Sequence, residues 1–178
     1  MGHVGAFPRP AERAECGGGA MSLSAAAHDR WVEIVDRIDR ARIGTGFIAH
    51  VDLYPIVMLD RFPTNPAALK ACAAQVYRAG EAKGTVAGVT HRKHDGRWRR
   101  ALIDHVSENP FDHLTEQQCA EAARLGAELA DLIATELGEI RSVAKVDFQP
   151  RDWYAAVWTD WLLLAPGRAT ILHLGWDS

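Results

Sequence analysis

The chain has 178 residues, 48% of them apolar, with 20 Lys and Arg against 23 Asp and Glu and a formal net charge of -3. These values fit one globular domain with or without a tail, and exclude collagen-like, coiled-coil and fully disordered classes. No apolar run approaches the ~20 residues of a membrane span, and so small a net charge does not suit a wholesale nucleic-acid binder.

Residues 1–20 lack periodicity and end near three consecutive glycines, Gly17–Gly19. They read as a disordered tail, with the domain proper over 21–178 and Met21 a candidate native start. Ser24 caps a predicted helix over 25–42, whose stripe is Ala27, Trp31, Ile34, Val35, Ile38 and Ala41. Residues 46–51 and 53–59 are strand material, interrupted by Pro55. Asn65 and Pro66 open a second helix to Ala79, with Leu69, Cys72, Ala73 and Val76 inward. Residues 85–105 read as a hairpin that turns at Asp95–Gly96, a favoured type I′ pair. Thr115 and Gln118 form a capping box for a third helix over 116–138, acidic on its outer face. Three strands follow, over 142–149, 153–164 and 169–176, the last two joined at Pro166–Gly167.

Helices and strands do not alternate singly along this order. An α+β domain follows: a mainly antiparallel sheet of five to seven strands, with three helices packed on one face. The odd, widely spaced cysteines (Cys16, Cys72, Cys119) and the absence of a signal-peptide pattern predict a reducing, cytoplasmic setting.

Charge is unevenly spread. Residues 91–100 hold five cations (Arg92, Lys93, Arg97, Arg99, Arg100) and one anion, Asp95; the net +4 leaves the remaining chain at -7. In the hairpin register His91 opposes Arg100, Arg92 opposes Arg99, Lys93 opposes Trp98 and His94 opposes Arg97. Like charges across a ladder repel, so this tip would gain from an anionic ligand or an acidic surface. Trp98 would add a flat stacking plate. The acidic third helix of the chain is an alternative destination for the same cations.

A second constellation comes from the last two strands. A symmetric loop at Pro166–Gly167 pairs Leu164 with Ala169, Leu162 with Ile171, Asp160 with His173 and Trp158 with Gly175. Both faces of these strands are apolar, so they should lie centrally and be covered on both sides. A buried Asp160 would orient His173, an arrangement that serves a general base, a metal ligand or the fold alone. His91 and His94 are three apart on a strand and cannot chelate one ion together. A metal site would need separate elements, for instance His50, His173 and Asp160, and no metal ligands are assigned. No GxGxxG, GxxxxGK[ST] or GxSxG motif occurs, and the cofactor stays unknown.

The leading functional expectation is a binding or accessory protein. It would engage an anionic small molecule or an acidic protein surface through His91, Arg92, Lys93, Arg97, Trp98, Arg99 and Arg100. Nucleic acid is disfavoured, because the remaining -7 opposes phosphate binding. One alternative is a small enzyme with His173 as base, Asp160 as its orienting group and arginines clamping the substrate. Another is a homodimer paired through the tryptophan-rich C-terminal strands.

Overall fold

The computed structural model describes residues 20–43, 48–93, 96–108, 114–151, 155 and 157–177. The element order is β1 (Ala20–Met21), α1 (Ala25–Ala41), β2 (Ile48–Leu53), β3 (Ile56–Met58), α2 (Pro66–Ala79), β4 (Gly84–Lys93), α3 (Arg97–Ser107), α4 (Glu116–Leu137), β5 (Ser142–Pro150), β6 (Val157–Ala165) and β7 (Arg168–Asp177). The fold is α+β, with one seven-stranded antiparallel sheet ordered β1-β3-β7-β6-β5-β4. β2 and β3 lie end to end along the same edge of β7, and the chain steps between them at Tyr54 and Pro55. Proline donates no backbone hydrogen bond, so an interrupted edge is where it is tolerated.

The helix ends follow from local chemistry. The Ser24 hydroxyl accepts from the Ala27 amide (3.3 Å), and Asn65 Oδ1 accepts from the Ala68 amide (2.9 Å) with Pro66 following. Thr115 and Gln118 complete the reciprocal capping box. Each side chain satisfies an amide that the first helical turn leaves unpaired.

The described residues form four helices, not three, and these cover both faces of the sheet. Ile34 and Ile38 of α1, Trp98, Leu102 and Val106 of α3, and Leu125, Leu129 and Ile133 of α4 pack on one face. Leu69, Cys72, Ala73, Val76 and Tyr77 of α2 pack on the other, over Leu162, Leu164, Ala169 and Ile171. The two-sided apolar strands β6 and β7 are central, and that composition is what requires cover on both sides. β1 begins at Ala20, inside the stretch read as tail; residues 1–19 lie outside the described residues.

The 85–105 hairpin does not form. β4 pairs with β5 instead, His91 opposite Ala144, Arg92 opposite Val143 and Lys93 opposite Ser142. Residues 97–107 are helix. Trp98, Leu102 and Val106 recur at four-residue spacing, and that helical period prevails over the Asp-Gly turn signal. Gly96 does take the positive φ (72°) that such a turn demands. Here it is the residue before α3, where glycine alone adopts that backbone readily.

Candidate functional site

Two polar arrangements stand on opposite faces of the sheet. The first surrounds His173. The predicted β6–β7 register is found at each of its four pairs, including Asp160 opposite His173. β2 adds Asp52 opposite His173 from the other side, so one row across three strands reads Asp52, His173, Asp160. His173 Nδ1–H donates to Asp160 Oδ1 at 2.7 Å, and the Tyr77 hydroxyl of α2 donates to Asp160 Oδ2 at 2.6 Å. Both carboxylate oxygens therefore accept, one from the imidazole and one from the phenol. Tyr77 is held in turn by stacking on Phe148, with centroids 3.9 Å apart, and by an edge contact from Tyr54 at 5.1 Å. Burial raises the Asp52 carboxyl above its ordinary range, with His173 and His50 partly offsetting it.

His173 and Asp160 are closed in by their neighbours, whereas Asp52 at the β2 end of the row is exposed. Asp160 is 0% exposed and His173 3%. A Cβ on Gly175 would stand 2.8 Å from His173 Nε2 and 3.1 Å from Ala155 Cβ. Glycine in mid-strand thus makes the room in which the imidazole lies. Tyr77 was absent from the predicted inward set, although it continues the Leu69–Ala73 spacing by four more residues.

The second arrangement is an open groove of about 510 Å³ between α3 and the other face of the sheet. Its roof is the stripe Ala101, Asp104, His105 and Glu108, spaced along one side of α3 and its C-cap. Its floor is three successive rungs: Trp176 beside Val157, Leu174 beside Thr159, and Trp161 beside Lys145. The Leu102 side of α3 packs into the core, so the more polar stripe is left over the strands.

Several of these groups are fixed in place. The Nε2–H of His105 donates to the His50 carbonyl at 3.1 Å, and its ring stands 4.7 Å from Trp176. Burial pushes the His105 imidazole down to about 4, so it is neutral near pH 7. The Arg42 guanidinium lies 4.6 Å over the Trp176 ring and donates to the Val106 carbonyl at 2.6 Å. Arg100 bonds Asp104 at 2.7 Å from the adjoining turn.

Other groups in the groove have no bonded partner among the described residues. Trp161 is 9% exposed, and its indole N–H is buried with no hydrogen-bond partner among the described residues. Glu108 and Lys145 are exposed, and neither forms an ion pair among the described residues. Buried polar groups are as a rule satisfied; the Trp98 indole N–H likewise has no partner among the described residues, and of the two only Trp161 lines the groove.

The basic segment is dispersed. Trp98, expected as a stacking plate, is 1% exposed in the core between α3 and α4. Arg99 bonds Asp131 on acidic α4, the intramolecular destination weighed for these cations. Arg97 is exposed on the first turn of α3. His91 is exposed, its Nε2 2.6 Å from the Ser142 hydroxyl. Arg92 and Lys93 no longer face Arg99 and Trp98; their side chains, with His94 and Asp95, lie outside the described residues. The like charges therefore do not oppose one another across a ladder, as an anion-binding hairpin tip would require.

His50 pairs with Gly175, two residues along β7 from His173, and its Nε2 stands 3.1 Å from Asp177 Oδ2. Among the described residues no group of three or more His, Cys, Asp or Glu side chains could hold a metal ion, and no helix is long and apolar enough to cross a membrane. Burial raises the Cys72 thiol to about 11, which suits a packing role and not a nucleophile. No protein-family model matches the sequence, and no curated protein or solved structure matches it.

Proposed function

We propose that this chain is a binding protein for a small organic molecule, held in the groove between α3 and the sheet. The observation that carries the proposal is the Trp161 indole N–H, buried without a partner among the described residues in a side chain that lines a groove of about 510 Å³. That volume lies in the range of small-molecule sites, which pair apolar walls with a few polar groups. Trp161, Trp176 and Leu174 supply the apolar floor, and Thr159, His105 and Glu108 the polar points. A ligand with a planar apolar body would cover the floor, and an acceptor on its edge would satisfy the indole.

The class of function stays with binding, but the site moves from the basic segment to the groove along residues 101–108. The Asp160–His173 pair supports an acid–base reading less well. A general base must reach the proton it abstracts, and His173 is 3% exposed beneath Tyr77, Ala155 and Gly175. We assign that pair to the fold, where Tyr77, Asp160 and His173 tie α2, β6 and β7 together.

Titration of 3-phenylpropanol into 15N-labelled protein tests the groove. The indole N–H signals of Trp161 and Trp176 and the amides of 101–108 should shift together, while Trp98 and the Tyr77 amide stay still. Shifts centred on Tyr77 and His173, or none at millimolar probe, would contradict the assignment.

A further inference from the structure

The charges around the groove specify more than an aromatic body. This step rests on the groove being the binding site. Asp104 is already bonded to Arg100, His105 is neutral, and Arg42 sits against Trp176 and the Val106 carbonyl. Two charged groups then remain with no partner at ion-pair distance among the described residues: Glu108 at the end of the roof, which Arg100 reaches only through a longer-range attraction, and Lys145 on the floor beside Trp161. They have opposite signs and come from opposite walls. A purely anionic ligand would meet Glu108, and a purely cationic one would meet Lys145. A ligand carrying both signs beside one apolar ring pairs with each wall.

We propose that the groove takes a zwitterion of the aromatic amino-acid class, its ammonium toward Glu108, its carboxylate toward Lys145 and its ring on the tryptophan floor. The carboxylate oxygens also provide acceptors for the Trp161 N–H, and the Thr159 hydroxyl can serve either end. Each exposed charge contact is worth ~0.2–1 kcal/mol, up to about fivefold in affinity. Both together should favour the zwitterion by about tenfold over a neutral ligand of the same ring.

Four probes with a common phenyl ring separate the terms: phenylalanine, phenethylamine, 3-phenylpropionate and 3-phenylpropanol, each titrated calorimetrically into the full chain. Phenylalanine should bind most tightly. Glu108→Gln should weaken phenylalanine and phenethylamine about three- to fivefold and leave phenylpropionate and the alcohol unweakened. Lys145→Gln should weaken phenylalanine and phenylpropionate and spare the amine. Both positions are on the surface, and unchanged denaturation curves would show that neither substitution perturbs the fold. Phenylalanine binding no better than the stronger singly charged probe, or a preference that survives both substitutions, would overturn the zwitterion assignment. If the alcohol still binds in the groove, the binding reading stands without it. If none of the four moves the Trp161 signal, both fail.

Discussion

The His105 imidazole links the groove roof to the stability of the whole domain, and the link has a definite pH window. Its ring is partly buried against Trp176 and donates to the His50 carbonyl. Burial lowers it from the ordinary 6.5 to about 4. A depressed histidine favours the neutral folded state, so its contribution is complete above pH 6.5 and drains away as the pH falls toward 4. That gap corresponds to ~3 kcal/mol at ~1.4 kcal/mol per pH unit, and screening of a partly exposed ring reduces the working figure to about 2 kcal/mol. His105→Gln keeps an N–H donor for the His50 carbonyl and removes the titration. Urea denaturation of both proteins at pH 7, 6, 5 and 4 isolates the term, because acid effects on the carboxylates are common to both. The wild type should lose about 2 kcal/mol relative to the variant between pH 7 and pH 4. A difference that stays constant across that range would refute the buried, neutral histidine.

Further expectations concern the core on either side of the sheet. Tyr77→Phe removes the donor to Asp160 Oδ2 while keeping the ring on Phe148, and should cost ~1–3 kcal/mol in denaturant; an unchanged midpoint would mean that the bond contributes nothing. Trp98→Ala should cost ~3–5 kcal/mol, since this side chain is 1% exposed between α3 and α4; a surface plate would be replaced almost without cost. Gly175→Ala places a methyl 2.8 Å from His173 Nε2 and should cost ~1–3 kcal/mol. In His173→Ala that cost should largely vanish, and equal costs in the two backgrounds would place the clash elsewhere.

Much of the fold was legible where one local rule acted alone. Ser24, Asn65 with Pro66, and Thr115 with Gln118 marked three helix starts because capping is decided within four residues. The Pro166–Gly167 turn fixed the β6–β7 register, and with it Asp160 opposite His173. Reading failed where two local rules competed. Asp95–Gly96 proposed a hairpin, while Trp98, Leu102 and Val106 proposed a helix. The helix prevailed because α4 supplies an apolar partner and Asp131 receives Arg99. That single misreading also hid the groove. Ala101, Asp104, His105 and Glu108 form a stripe only when the segment is helical, and only the folded sheet brings Trp161 and Trp176 beneath it. Asp52 was out of reach for a related reason: β2 pairs with β7 from more than a hundred residues away, with no turn to set its register.

The most direct test of ligand binding in this groove is a crystal structure of the full chain grown with saturating phenylalanine. The account predicts ligand density between residues 101–108 and the Trp161–Trp176 floor, with the amine end toward Glu108 and the carboxylate toward Lys145. A groove that stays empty in such crystals, or phenylalanine seated over Gly175 and His173 instead, would contradict it.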